Sequence, residues 1–175
     1  MRDTRYKIND KFKKRYSPKK FMDIKVENED ILSLIEAATT APSCFNEQPW
    51  RFLVINSDEG LKKIKETLTE KNLEWNDDTK QFILLLSKKH FSKNGNENTY
   101  NKFDTGTAFG FMLLEALERN IQMHPMAGFD KVRTREIFQI EMETNIIALV
   151  AFGYGNNESF IPSNRNNFDE ILSFQ

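Results

Sequence analysis

Apolar positions recur at helical spacing from about Glu29 to Thr40, where Ile31, Leu34, Ile35 and Ala38 form one face. Asn28 can cap this helix, Glu29 and Asp30 suit its positive end, and Pro42 stops it. The pattern then changes. Trp50 to Asn56 (WRFLVIN) has the aromatic and β-branched character of a strand. Ser57 and Asp58 follow as a cap for a helix through Leu61, Ile64 and Leu68. Phe82 to Ser87 (FILLLS) is a second, fully apolar strand, and Ser92 to Tyr100 is an Asn-, Gly- and Ser-rich exposed loop. From about Asp104 to Asn120 runs the most apolar helix, with Ala108, Phe109, Phe111, Met112, Leu113, Leu114 and Ala116 covering more than one face. Such a helix is expected to be buried, in the domain centre or between subunits. A short helix at Val132–Phe138 and a strand at Ile146–Phe152 complete the pattern. Helices interleaved with three strands predict a small sheet with helices packed on it. No repeat or linker divides the chain, so residues 1–175 read as one domain.

Composition narrows the function classes. Hydrophobic residues make up 39% and charged residues 29%, which suits a packed core and not a disordered chain. The formal net charge of -1 offers no global field for nucleic acid, although residues 7–20 are locally basic. Cys44 is the single cysteine, so no intrachain disulfide is possible and a reducing compartment fits. Two histidines and one cysteine make no zinc-ligand spacing, and no apolar run is long enough for a membrane helix. A cytoplasmic protein without metal, membrane or nucleic-acid partners is the expectation. G-x-G-x-x-G after a strand, the P-loop signature and H-E-x-x-H are all missing.

Four clusters remain. In Arg15-Tyr16-Ser17-Pro18-Lys19, the alternate residues Arg15, Ser17 and Lys19 project to one side of an extended chain and can bind an anion. Taken alone, a solvated basic stretch explains them better. Pro42-Ser43-Cys44-Phe45-Asn46-Glu47-Gln48-Pro49-Trp50 is a proline-fixed loop offering uncharged donors and acceptors, suited to a flat heteroaromatic ligand. His124-Pro125-Met126-Ala127-Gly128 contains small residues that let backbone N–H groups approach a ligand. His124 itself reads better as a structural hydrogen bonder than as an acid–base group. The fourth is Arg165, near the C-terminus.

In order and spacing, these clusters resemble the FMN-dependent nitroreductase family, from Arg15 to Ile171. The matching elements are Arg15-x-Ser17-x-Lys19-x-Phe21, Pro42-Ser43-x-x-Asn46-x-Gln48-Pro49-Trp50 and Asn72-x-x-Trp75. Asp104-x-Gly106-x-Ala108, Met126-Ala127-Gly128-Phe129-Asp130, Gly153-Tyr154 and Arg165 with Asp169-Glu170-Ile171 follow. The resemblance implies an α+β fold, a mostly antiparallel sheet flanked by helices with a long buried central helix, in an intertwined homodimer. Residues 1–14 would be a polar extension and 160–175 a C-terminal arm.

It also implies roles. Arg15, Ser17 and Arg165 would bind the FMN phosphate, and Lys19 would lie at the N1/C2 edge of the flavin. Pro42, Ser43, Cys44 and Asn46 would contact the ring and ribityl chain, with Gln48 supporting that loop. Asn72, Met126, Ala127 and Gly128 complete the cofactor set, the last two offering N–H groups to the N5/O4 edge. No side chain is expected to be catalytic, because hydride moves through flavin N5. NAD(P)H would be the donor and a nitroaromatic, quinone or related small molecule the acceptor, in ping-pong order. Gly106 and Gly110 would permit close helix approach between subunits. A flavin-binding protein with little turnover, and an FMN-dependent dehalogenase or heterocycle oxidase, are the alternatives. Departures from the family pattern are Cys44 for a common serine, Thr79-Lys80 for Ala-Pro, Ser163 and Asn164 for basic residues, and a short chain.

Overall fold

The computed structural model describes residues 4–155 and 163–175. Residues 1–3 of the expected extension and 160–162 of the expected arm lie outside them. The elements are helices α1 (Asp10–Lys14), α2 (Asn28–Thr39), α3 (Asp58–Lys65), α4 (Glu70–Asn76), α5 (Asn101–Glu118), α6 (Lys131–Ile137) and α7 (Phe168–Ile171). The strands are β1 (Trp50–Ile55), β2 (Phe82–Lys88), β3 (Ile121–Met126) and β4 (Thr144–Tyr154). They form one antiparallel sheet in the order β1-β2-β4-β3.

The apolar run of β2 finds its reason here. Ile83 and Leu85 join one core with α2 and α5, while Phe82, Leu84 and Leu86 join a second core with Leu61 and Ile64 of α3. Successive side chains of a strand face opposite ways, so a central strand covered on both faces is apolar throughout. Burying each of these side chains contributes about 1.5–3 kcal/mol.

Several sequence expectations change. Asn28 is the first residue of α2 and does not cap it; Glu27 holds the cap position without a side-chain bond. Ser57 does cap α3, accepting from the Gly60 N–H. Leu68 lies past the end of α3 and bridges to Phe129. The basic N-terminal stretch contains α1, capped by Asn9. Helices α1, α4 and α7 and strand β3 were not predicted. In β3 the buried Ile121, Met123 and Met126 are interrupted by Pro125, which only an edge strand tolerates because it donates no ladder hydrogen bond. Helix α5 is not buried all round in the single chain. Ala108, Met112 and Ala116 face the core, but Phe103, Phe111 and Leu114 are exposed, and so are Gly106 and Gly110.

The stretch 16–22 lies against the end of β4. Met22 donates to the Tyr154 carbonyl, and Phe21 bridges to Gly155. A Cβ on Gly155 would stand 2.6 Å from Gln122 Cγ and 3.0 Å from the Tyr16 hydroxyl, so the close approach requires glycine. No described helix is long and apolar enough to cross a membrane.

Candidate functional site

The alternation predicted for residues 15–19 is present. Tyr16 and Pro18 are buried, whereas Ser17 and Lys19 are exposed and Arg15 is half-buried. Burial raises the Tyr16 hydroxyl above its usual value. Arg15 Nη1 donates to Ser17 Oγ at 3.3 Å, so those two groups already share one face. The Pro18 carbonyl meets His124 Nδ1 at 2.8 Å, which pins the stretch to β3. The His124 ring stacks on Trp75 with centroids 4.3 Å apart. Burial, with Lys19 and Arg15 nearby, holds His124 below its ordinary value, although the Pro18 contact pulls the other way. His124 is thus the structural hydrogen bonder expected from the sequence.

The same surface continues to Asn72 and Gly128. Trp75 Nε1 donates to Asn72 Oδ1 at 3.3 Å, and Asn72 Nδ2 donates to the Gly128 carbonyl at 2.8 Å. The Thr69 N–H and hydroxyl bind that carbonyl too, each at 3.1 Å. A Cβ on Gly128 would lie 2.6 Å from Asn72 Nδ2, so a larger residue here would displace that amide. Ala127 is exposed beside it. The Met126 side chain instead points into the second core, 3.7 Å from Asn76 Nδ2 through its sulfur, and leaves only backbone to face a ligand.

The Pro42–Gln48 loop sits at the opposite edge of the sheet, just before β1. Three strand spacings of about 4.8 Å, roughly 14 Å, separate β1 from β3. Cys44–Asn46 form a 3-10 turn in which Phe45 has φ 53° and Asn46 φ 56°, followed by Gln48 at φ 51°. Left-handed backbone at non-glycine residues is strained and persists only where its surroundings hold it. The Cys44 N–H donates to Asp104 Oδ2 at 3.1 Å, the Gln48 N–H to Ser43 Oγ at 2.9 Å, and Gln48 Nε2 to the Asn46 carbonyl at 3.2 Å. From the next loop, the Ser92 N–H donates to the Glu47 carboxylate at 2.8 Å and Phe91 meets Phe45 edge-on. Phe45 is 91% exposed, and Pro42 and Asn46 are exposed as well.

Asp104 was read in the sequence only as part of a motif at the start of α5. Asp104 is 3% exposed, and its carboxylate anchors the loop through Cys44. Its position follows from Asn101, whose Oδ1 binds Ser87 and Asn145 and so fixes the first turn of α5 to β2 and β4. Polar residues opening an otherwise apolar helix were the available signal. Arg165 is exposed and donates to its own neighbours' carbonyls, Ser163 and Asn164. It lines a groove with Tyr6, Ile8 and Phe168 rather than with Arg15.

One chain therefore gathers Arg15, Ser17, Lys19, Asn72, Met126, Ala127 and Gly128 at the β3 edge, and Pro42, Ser43, Cys44, Asn46 and Gln48 at the β1 edge. The donor set fits FMN. Cations and a hydroxyl suit a phosphate, and the uncharged loop and tight backbone turn suit ring carbonyls and amides.

The sequence matches the nitroreductase family over residues 12–81 and 67–154. YdgI of Bacillus subtilis, provisionally named an NAD(P)H nitroreductase, is 26% identical over 78% of this chain and 82% of its own. Iodotyrosine deiodinase of Thermotoga neapolitana is 25% identical over 84% of this chain and 88% of its own. A crystal structure of an FMN-containing oxidoreductase superposes with a TM-score of 0.91 at 27% identity, covering 98% of this chain and 93% of that one.

Proposed function

The chain belongs to the nitroreductase family, an FMN-dependent oxidoreductase by that membership, and we propose that it is a homodimer reducing small aromatic acceptors with NAD(P)H. The division of the candidate residues between opposite sheet edges carries this reading. Two copies related by a two-fold axis would bring the β3 edge of one to the β1-edge loop of the other, giving two sites, each built from both chains. The exposed stripe of α5 supports the arrangement. Among the described residues nothing lies within 4 Å of a Cβ added at Gly106 or Gly110, so neither glycine is required by their packing. Phe103 is 73% exposed on the same stripe. A helix face that is apolar, glycine-bearing and uncovered suits a second copy of itself.

When bound, FMN supplies the hydride exchange, so that NAD(P)H, a proton and the acceptor give NAD(P)+ and the two-electron-reduced acceptor, in ping-pong order. Arg15, Ser17 and Arg165 would hold the phosphate. The Lys19 ammonium would stabilise negative charge at the N1/C2 edge and so raise the reduction potential. Ala127 and Gly128 would present backbone to the N5/O4 edge, within a turn that Asn72 keeps rigid. Pro42, Ser43, Cys44 and Asn46 would cover the ring from the other chain, with Gln48 supporting the loop. Site and assembly are tested together by sedimentation of FMN-loaded protein and stopped-flow mixing with NADH and NADPH. A yellow dimer bleached by either nicotinamide is expected; a colourless chain, or bound flavin that neither donor reduces, overturns the reading. Likeness to the T. neapolitana deiodinase favours a second reading, reductive dehalogenation, which an acceptor screen of nitroaromatics, quinones and halophenols separates.

A further inference from the structure

We propose that His124 and Trp75 are positioning residues that lock the Lys19-bearing stretch and the Gly128 turn into one rigid unit. This rests on the preceding reading, which assigns Lys19 and Gly128 to two polar edges of the same flavin. Between them runs an unbroken series of contacts. The Pro18 carbonyl meets His124 Nδ1, the His124 ring stacks on Trp75, Trp75 Nε1 donates to Asn72, and Asn72 donates to the Gly128 carbonyl.

Each hydrogen bond in the series has one possible sense. A carbonyl only accepts, so His124 Nδ1 carries the hydrogen, and in the neutral ring Nε2 is bare. An indole N–H only donates, so the Asn72 atom facing Trp75 is its oxygen, and the amide nitrogen must turn to Gly128. Trp75 thereby sets the orientation of Asn72, and His124 sets that of Trp75. The root of His124 is itself fixed, because the residue lies in β3 paired with Ala151. Gly128 is held at the other end by three hydrogen bonds to its carbonyl, from Asn72 and from the Thr69 N–H and hydroxyl. A shift of the 15–19 stretch must displace either the stack or the turn.

The test is a double-mutant cycle with His124→Ala and Asn72→Ala, read in two ways: FMN affinity by fluorescence titration of the apo-protein, and flavin midpoint potential. Each single change is expected to weaken FMN binding about five- to tenfold, as for loss of one hydrogen-bonded contact. The double change should fall short of the product by about threefold or more, because both break one series. His124→Ala should also lower the midpoint potential as Lys19 loses its placement, which a merely structural role would not do. His124→Asn, whose amide nitrogen can stand where Nδ1 stood, should restore most of that potential. Effects that multiply independently, or a potential that does not move in His124→Ala, overturn the proposal. If the alanine variant does not fold, His124→Asn takes its place in the cycle, since it still lacks the ring that stacks on Trp75. A wild-type chain that takes up no FMN overturns the preceding reading instead. The same cycle on urea unfolding then decides this one, coupling supporting it and additivity overturning it.

Discussion

The two edges of the sheet hold their candidate residues by different means. At the β3 edge, Gly128, Asn72, Trp75 and His124 are joined through contacts that continue into the core, where Met126 and Phe129 are buried. At the β1 edge, the 42–48 loop has three left-handed non-glycine residues and an exposed phenylalanine, held mainly by Asp104 and by Glu47 with Ser92. The first geometry arises as the chain folds. The second is backbone strain held at an exposed surface, the kind of strain that clusters at binding sites. Changes at the β3 edge should therefore register in both stability and cofactor affinity, and changes in the loop mostly in affinity.

The strongest attempt to break this contrast removes the second chain. Gly110→Arg is expected to leave the chain folded, since an added Cβ meets nothing within 4 Å among the described residues, and yet to abolish dimerisation and FMN retention together. Sedimentation with flavin absorbance measures both, and a folded monomer that keeps its FMN would falsify the two-edge site. Arg15→Ala and Arg165→Ala come next, each expected to weaken FMN binding by about 1.5–3 kcal/mol, as for loss of a charged hydrogen bond. Arg165 is the sharper case, because in one chain it lies beside Tyr6 and Phe168, away from the β3-edge cluster. Titration of the apo-variants decides; unchanged affinity removes the residue from the phosphate site. Lys19→Ala should lower the flavin midpoint potential with a smaller change in affinity, and spectroelectrochemistry tests it.

Much of this was legible in the sequence, and the misses have physical causes. The alternation of Arg15, Ser17 and Lys19 follows from a period of two and appears as expected. Strand β3 escaped because Pro125 breaks its pattern, and proline is tolerated there only because of an edge position that pairing alone determines. Helix α4 escaped because its apolar residues, Leu73 and Trp75, stand two apart and so make no helical face. The separation of the candidate residues between two edges could not be read at all, since it depends on β4 inserting between β2 and β3. Asp104 stands sixty positions from Cys44, and only the packed sheet shows that its carboxylate holds that loop.

A smaller effect separates the edges by pH. His124 is lowered by burial below the ordinary histidine value of 6.5, so the unfolded chain takes up the proton first. Stability is then complete above that value and falls as the pH drops from it towards the lowered folded value. His124→Asn should flatten this slope in urea unfolding at several pH values, and an unaltered slope would assign it elsewhere.

The smallest expected change in stability lies in the loop. At Gln48, φ 51° costs a residue with a Cβ about 1–2 kcal/mol, which glycine avoids. Glycine in turn gives the unfolded chain about 0.5–1 kcal/mol more conformational freedom to lose. Gln48→Gly also removes the side-chain bond to the Asn46 carbonyl, about 1 kcal/mol. These terms nearly cancel, so thermal unfolding should stay within about 0.5 kcal/mol of the parent chain. FMN affinity should nevertheless fall, because a freed loop must be ordered again on binding. If stability drops and affinity does not, the strained conformation belongs to the fold and the contrast between the two edges fails.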